Sequence, residues 1–167
     1  MTEKTPLKAA SRENIPPAEP LSVVSICLDR DTWGTLKLFT DAARFVRLER
    51  HLAEYRVSDH ESVLEWIGTP APDICMLDFD LDRRSAAMVA ERIHADSPDT
   101  AIFAVSSEAQ PDLIIQAMRS GCSEYLVKPL DSDQLLNAVA RVGGRRKEKN
   151  QQAKAQVLSS SMGRPLP

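Results

Sequence analysis

The 167-residue sequence lacks a long apolar run, an excess of basic residues and a closely spaced pair of cysteines. A transmembrane helix needs about 20 consecutive apolar residues, and no run approaches that length. The N-terminal stretch MTEKTPLKAASRENIPPAEP is polar and has no signal-peptide core. The net charge of −3 at pH 7 argues against nucleic acid or an anionic membrane surface as the main partner. These absences favour a protein that neither spans a membrane nor binds nucleic acid.

The cysteines lie far apart, at Cys27, Cys75 and Cys122, among apolar or small residues. An odd number without paired spacing does not suit a disulfide framework or a zinc site. We therefore expect reduced thiols that pack in the core of a cytoplasmic protein.

Length and composition fit one globular domain with tails. Hydrophobic residues make up 43 % of the chain and charged residues 27 %, an ordinary balance for a soluble domain. Residues 1–20 contain four prolines and no apolar period, which predicts a flexible leader. The domain itself is predicted over residues 21–143. Residues 144–167 begin with RRKEK and then become rich in Gln, Ser and Pro, which predicts a helix extension followed by a linker or tail.

Short apolar runs alternate with amphipathic segments along the predicted domain. The predicted strands are residues 21–28, 45–52, 73–79, 100–107 and 124–129. The predicted helices are residues 32–45, 59–67, 83–96, 111–121 and 131–144. Strands and helices that alternate at this pace form a parallel sheet with helices on both faces. The predicted fold class is therefore α/β, with a doubly wound five-stranded parallel sheet.

Two of these segments carry a more detailed expectation. In the second strand, Val46 and Leu48 alternate with charged neighbours, and Arg50 falls at the next position of the same face. This pattern is typical of an edge or half-exposed strand. The second helix is predicted to open with Asp59 as its N-cap and to stop at Gly68.

Polar side chains follow four of the five predicted strands. They are Asp29 after the first strand, Asp78 and Asp80 after the third, Ser106 and Ser107 after the fourth, and Lys128 after the fifth. In an open α/β sheet the ligand crevice lies outside the carboxyl ends of the strands. We therefore expect carboxylates, a hydroxyl and an ammonium group to converge at one edge of the sheet.

This set of groups favours phosphoryl chemistry. Clustered carboxylates form a hard, oxygen-lined site suited to Mg²⁺, and a carboxylate can also be the nucleophile that forms an acyl phosphate. The charge on the transferred group then needs a metal, a hydroxyl and a cation close by. Asp78 is the predicted nucleophile, and Asp29, Asp78 and Asp80 are the predicted metal ligands. Ser106 and Lys128 are predicted to contact phosphoryl oxygens.

Two plainer interpretations stay open from the residues alone. Lys128 could be only the structural ion-pair partner of Asp78, an arrangement that a chain without phosphorylation would also keep. Ser107 competes with Ser106 for the hydroxyl role, because serine is common after a buried strand.

Four stretches resemble the receiver domain of bacterial two-component response regulators. They are LDRD, PDICMLDFDLD, IFAVSS and GCSEYLVKPL, and the resemblance covers roughly residues 21–143. It implies a CheY-like, flavodoxin-like sheet of order 2-1-3-4-5 and a cis peptide bond between Lys128 and Pro129. It also implies that a sensor histidine kinase or another phosphodonor phosphorylates Asp78 with Mg²⁺ bound. Tyr125 falls at the switch aromatic of the family.

The resemblance implies an output surface as well. In the family, the phosphorylated state is relayed to the face made by the fourth helix, the fifth strand and the fifth helix. A partner protein or a second copy of the chain is therefore expected to dock on that face.

The sequence departs from the receiver pattern after the first strand. Receivers present two adjacent acids there, whereas this chain offers only Asp29 within LDRD. Either Asp29 is the first acid and Arg30 replaces the second, or Asp29 is the second acid and Leu28 replaces the first. Both alternatives predict a weaker metal site. The proline that usually follows the phosphoacceptor is also missing from DFDLDRRS.

With these departures, the sequence resembles the divergent receiver-like domain of the Tad (Flp-type) pilus localisation proteins. In those proteins, this domain precedes a ParA/MinD-type ATPase. No phosphate-cradling Gly-Lys motif occurs in the sequence, so such an ATPase would lie beyond Pro167. The alternative function is thus a phosphorylation-independent pseudo-receiver that targets or dimerises an ATPase in Flp pilus assembly. A flavodoxin-like ligand-binding domain is disfavoured, because clustered carboxylates would repel flavin phosphates.

Overall fold

The computed structural model describes residues 19–56 and 60–162, with side chains through residue 159. The strands are β1 (Leu21–Ile26), β2 (Val46–Leu52), β3 (Ile74–Asp78), β4 (Ala101–Ser106) and β5 (Glu124–Val127). The helices are α1 (Arg30–Ala42), α2 (Val63–Ile67), α3 (Arg83–Asp96), α4 (Pro111–Arg119) and α5 (Ser132–Met162). Of the predicted leader, only Glu19 and Pro20 belong to the described residues.

The five strands form one parallel sheet in the order β2-β1-β3-β4-β5. Helices α1 and α5 pack on one face of the sheet, and α2, α3 and α4 pack on the other. The runs of β1, β3 and β4 are almost continuously apolar because both of their faces are buried. The predicted α/β class, doubly wound arrangement and strand order are confirmed. Since the strands are parallel, all five carboxyl ends lie at the same edge of the sheet.

The edge strand β2 contains a register shift that its sequence pattern does not show. The pairing of β2 with β1 shifts between Val23 and Val24, which leaves one residue of β2 without a partner in β1. Such an extra residue reverses the alternation of the strand. As a result Leu48 packs on the side of α1 and α5, whereas Leu52 packs on the opposite side. Arg50, predicted on the same face as Leu48, is exposed.

The short helix α2 begins later than predicted. Its N-cap is Ser62, whose Oγ accepts a hydrogen bond from the Leu64 amide at 3.3 Å. The expectation that Asp59 caps this helix is therefore wrong, and Asp59 itself lies outside the described residues. Gly68 follows the last turn with a φ of 127°, a backbone conformation that favours glycine, and it stops the helix as expected.

Helix α5 is much longer than the segment predicted for it. It passes through Gly143 and Gly144 without interruption and continues to Met162. The helix thus includes much of the stretch predicted as linker or tail, while residues 163–167 lie outside the described part of the chain. No helix within residues 19–56 and 60–162 combines the length and apolar character needed to cross a membrane.

The cysteines pack in the core, as predicted. Cys27, Cys75 and Cys122 are all buried and free. Burial raises the pKa of Cys27 to about 11 and those of Cys75 and Cys122 to about 12. The three thiols are therefore protonated at neutral pH, which suits packing better than nucleophilic chemistry.

Candidate functional site

The elements of the fold bring the predicted site residues to one edge of the sheet. Asp78 is the last residue of β3 and Ser106 the last residue of β4. Lys128 follows β5 directly and is joined to Pro129 by the expected cis peptide bond. Asp29 is the N-cap of α1, and its carboxylate accepts hydrogen bonds from the backbone amide and the hydroxyl of Thr32.

The ammonium group of Lys128 is the centre of the site. Its Nζ lies 2.6 Å from Asp78 Oδ2, 2.7 Å from Asp29 Oδ1 and 3.1 Å from Asp80 Oδ2. The predicted convergence of acidic groups and a cation is therefore confirmed. Only 2 % of the Asp78 side chain is exposed, compared with 47 % for Asp29. The carboxylate of Asp78 thus forms the floor of the site and that of Asp29 its rim.

The loop that follows β3 holds Asp78 in place. The second carboxylate oxygen, Oδ1, accepts hydrogen bonds from the amides of Asp80 at 2.8 Å and Leu81 at 3.4 Å. The backbone carbonyl of Asp78 accepts a hydrogen bond of 2.6 Å from the hydroxyl of Tyr55. These contacts orient the Oδ2 atom toward Lys128 and fix the end of the strand.

The hydroxyl in the site belongs to Ser106. Ser106 is buried, and its Oγ donates to Asp80 Oδ1 at 2.6 Å and accepts from the amide of Glu108 at 3.1 Å. Ser107 contributes its backbone amide instead, which donates to both carboxylate oxygens of Asp80. Of the two serines, the structure therefore places the side chain of Ser106 among the site residues.

The pKa values of Asp29, Asp80 and Lys128 reflect these hydrogen bonds and ion pairs. Partial burial opposes the charged form of Asp29 and of Asp80, but hydrogen bonds outweigh it and lower both pKa values. The donors are Lys128 and Thr32 for Asp29, and Ser106, the Ser107 amide and Lys128 for Asp80. Burial also opposes the charge of Lys128, yet its bonds to Asp29, Asp78 and Asp80 raise its pKa. Asp29 and Asp80 are thus ionised, and Lys128 protonated, at neutral pH.

The resemblance described above implies Mg²⁺ at the acidic pocket, and oxygen donors of this kind suit the ion. In this arrangement, however, the space between the carboxylates of Asp29, Asp78 and Asp80 is taken by the Lys128 ammonium group. Within the described residues there is no group of three or more acidic, histidine or cysteine side chains that could hold a metal ion. The residues as placed therefore do not fit a bound Mg²⁺, and the metal-ligand roles stay a prediction.

The two neighbours of Asp29 differ in burial. Leu28 is buried in the core beneath α1 and α5, and Arg30 is exposed as the first residue of α1. Asp29 lies between them and contacts Lys128. Both alternatives for the missing acid, Leu28 and Arg30, therefore stay predictions.

Tyr125, the predicted switch aromatic, lies next to the site. Its ring packs against the core on the side of α2, α3 and α4, and its hydroxyl donates to the carbonyl of Glu108 at 2.6 Å. The amide of the same Glu108 donates to Ser106 Oγ. One residue of the β4–α4 loop therefore joins the predicted hydroxyl residue to the predicted switch aromatic.

Two residues near the site were not identified from the sequence. Tyr55 bonds the carbonyl of Asp78, and the guanidinium of Arg83 lies 3.4 Å from Ser106 Oγ. Tyr55 lies in a charged segment without a motif, and Arg83 is one of two adjacent arginines at the start of α3. No pattern of spacing distinguishes either residue from an ordinary surface side chain.

Comparison with known proteins agrees with this geometry. Residues 40–140 match the response regulator receiver domain family. The regulatory protein LuxO of Vibrio cholerae is 30 % identical over 79 residues, which are 47 % of this chain and 17 % of LuxO. The alginate biosynthesis regulator AlgB of Pseudomonas putida is 26 % identical over 118 residues, which are 67 % of this chain and 26 % of AlgB. The chain therefore spans about a quarter or less of these two relatives.

Solved structures show the same fold. A receiver domain protein of Methanospirillum hungatei superposes with a TM-score of 0.61 at 16 % identity, covering 78 % of this chain and 99 % of that one. A Burkholderia thailandensis protein assigned to pilus assembly (CpaE) gives a TM-score of 0.59 at 23 % identity, covering 75 % and 98 %. At these identities the likeness supports the fold alone. Together with the match over residues 40–140, it shows that this chain belongs to the response regulator receiver domain family.

Proposed function

We propose that this domain is a phosphorylation switch in which Asp78 accepts a phosphoryl group from a sensor histidine kinase or a small phosphodonor. The observation that carries the proposal is the contact of 2.6 Å between Asp78 Oδ2 and Lys128 Nζ, beside the buried hydroxyl of Ser106. A carboxylate, a cation and a hydroxyl at one point are three of the groups that aspartyl phosphate formation needs.

The transfer follows from these groups. A carboxylate oxygen of Asp78 attacks phosphorus and forms the new phosphorus–oxygen bond while the phosphorus–nitrogen bond of the donor phosphohistidine breaks. The imidazole nitrogen takes up one proton from water, and the ring leaves as neutral imidazole. Lys128 compensates the charge that develops on the phosphoryl oxygens. Ser106, which now donates to Asp80, can turn its hydroxyl toward a phosphoryl oxygen.

The same movement would reach the output face. When Ser106 turns, it releases the amide of Glu108, whose carbonyl holds the hydroxyl of Tyr125. A change at the phosphoryl group is thereby passed to β5 and to the neighbouring helix α4. On α4, Ile115 and Met118 are 47 % and 40 % exposed, so this face offers apolar surface to a partner or a second copy of the chain.

A second function is favoured by particular features of the site. The Asp78 carboxylate is almost fully buried, Lys128 already neutralises part of the acidic cluster, and one acid of the usual pair after β1 is missing. A pseudo-receiver that is not phosphorylated would keep such an ion-paired site for stability. It would serve as a targeting or dimerisation module for a ParA/MinD-type ATPase in Flp pilus assembly, a role suggested by the pilus assembly protein among the structural neighbours.

An experiment with acetyl phosphate distinguishes the phosphorylation switch from the pseudo-receiver. The protein is incubated with acetyl phosphate over a range of Mg²⁺ concentrations and its intact mass is measured. We expect one added phosphoryl group on the wild type, its loss in Asp78→Asn, and its retention in Asp82→Asn. Asp82 is the matched control, because it is an exposed carboxylate of the same loop and asparagine still caps α3. Absence of the added mass at every Mg²⁺ concentration would contradict the switch and favour the pseudo-receiver.

A further inference from the structure

The guanidinium group of Arg83 lies beside the hydroxyl of the site. Arg83 is the first residue of α3, and its Nη2 donates a long hydrogen bond of 3.4 Å to Ser106 Oγ. The same nitrogen is 4.0 Å from a carboxylate oxygen of Glu108. The guanidinium carbon is 5.7 Å from the centre of the Phe79 ring, a distance at which a cation–π contact forms. Arg83 is thus held near Ser106 by weak contacts only.

The other terminal nitrogen of Arg83 has no partner. Nη1 is buried and makes no hydrogen bond to any of the described residues. A buried charged donor without an acceptor is unfavourable, and such groups in folded proteins commonly mark a place where an ion or ligand binds. The side chain as a whole is 22 % exposed, so Arg83 lies at the border between the core and solvent.

We propose that Arg83 is a phosphoryl-binding residue, whose unpartnered N–H group donates to an oxygen of the phosphoryl group carried by Asp78. This inference rests on the proposed phosphorylation of Asp78. The planar guanidinium fork can bind two oxygen atoms at once, here the Ser106 hydroxyl and a phosphoryl oxygen. The phosphoryl group would then be bound by two protein cations, Arg83 and Lys128.

The acidic residues of the site give a reason for a second cation near the phosphoryl group. One acid of the usual pair after β1 is missing, and the carboxylates of Asp29, Asp78 and Asp80 share the ammonium of Lys128. A phosphoryl group brings additional negative charge into this cluster. A guanidinium beside Ser106 would offset part of that charge.

The test measures how fast acetyl phosphate, at a concentration below saturation, adds a phosphoryl group to the protein. Intact mass is followed over time for the wild type, Arg83→Gln, Arg83→Met, Arg83→Lys and Arg84→Gln. Arg84 is the matched control, since it is the next residue, exposed, and loses the same charge. We expect Gln and Met at position 83 to slow the reaction about tenfold or more, because a charged donor to the transferring group is lost.

The other variants distinguish phosphoryl binding by Arg83 from a purely structural role of this residue. Arg83→Lys restores a charge without the fork and is expected to recover part of the rate, whereas Arg84→Gln stays within about twofold of the wild type. Arg83→Met keeps an unbranched aliphatic side chain of similar length without the charge, so it carries the test if the Gln variant does not fold. Rates for Gln and Met equal to that of Arg84→Gln would overturn the assignment while leaving the switch intact. A wild type that gains no phosphoryl group would overturn the switch itself, and the role of Arg83 with it.

Discussion

At the scale of single residues, Lys128 decides what the acidic site can bind. Its ammonium group is within 3.1 Å of carboxylates from β3, the β3–α3 loop and the N-terminus of α1. A strand that ends in lysine and then proline is unusual for a buried sheet, and these ion pairs explain it. The cation holds together acidic groups that would otherwise repel one another.

Removal of this cation is predicted to create a metal site. In Lys128→Met the carboxylates of Asp29, Asp78 and Asp80 lose their shared partner, and the space between them becomes available to a divalent ion. A unit charge about 4 Å from the ion is worth several kcal/mol at an effective dielectric constant of about 20. We therefore expect Mg²⁺ to bind the variant at least about tenfold more tightly than the wild type, measured by calorimetric titration.

A lysine outside the site supplies the control for this experiment. Lys149→Met removes an ammonium group that pairs with Asp99 on the surface, far along the chain from the site. It should leave Mg²⁺ affinity at the wild-type value. Equal Mg²⁺ affinity in the wild type and in Lys128→Met would contradict the idea that Lys128 excludes the ion.

The residues at strand ends could be predicted, but their supporting contacts could not. Asp78, Ser106 and Lys128 were found because parallel strands bring their carboxyl ends to one edge, whatever the separation along the chain. Tyr55 and Arg83 reach the site from a loop and from a helix start. Their contacts depend on side-chain direction and loop path, which no periodic pattern records.

At the scale of helices and strands, some features could again be predicted from the sequence and others could not. The sheet follows from alternation of apolar runs and helices, but the shift in β2 does not, because an extra residue in an edge strand changes no residue type. The length of α5 was underestimated for a different reason. Gly143 and Gly144 suggest a helix end, yet the segment after them is rich in Arg, Lys, Glu, Gln and Ala, which favour helix strongly enough to continue it.

The glycines inside α5 give a prediction about stability. Gly144 is helical and a Cβ added there would meet nothing within 4 Å. Glycine in a helix interior costs about 0.5–1 kcal/mol relative to alanine. Gly144→Ala should therefore raise the free energy of unfolding by about that amount, measured by urea denaturation followed by circular dichroism.

Gly121 provides a control with the opposite sign. Its φ is 104°, and a Cβ there would lie 2.7 Å from the Cβ of His94. Gly121→Ala should lower the free energy of unfolding, since both the backbone and the contact with α3 are strained. A loss of stability in Gly144→Ala would show that α5 does not continue through the glycine pair in solution.

At the scale of the whole molecule, the fold separates into a packed domain and an emerging helix. The last core residues of α5 are Val139 and Val142, which pack on the sheet with α1. Beyond them Arg146 reaches Asp73 at 3.4 Å and Lys149 pairs with Asp99. Residues 147–159 are exposed, and they extend the helix about 20 Å at 1.5 Å per residue. Surface ion pairs of this kind add little stability.

The emerging helix can therefore be removed without loss of the domain. A chain that ends after Asn150 keeps all of the buried residues of α5 together with Arg146 and Lys149. We expect its thermal midpoint to stay within about 2 °C of that of the full chain, because only exposed side chains are lost. A chain that ends after Ala138 loses Val139 and Val142, and burial of each valine is worth roughly 1.5–3 kcal/mol, so its midpoint should fall by many degrees. A fall of similar size for the longer chain, greater at low protein concentration, would show instead that residues 151–162 pack against a second copy and that the domain is stabilised by association.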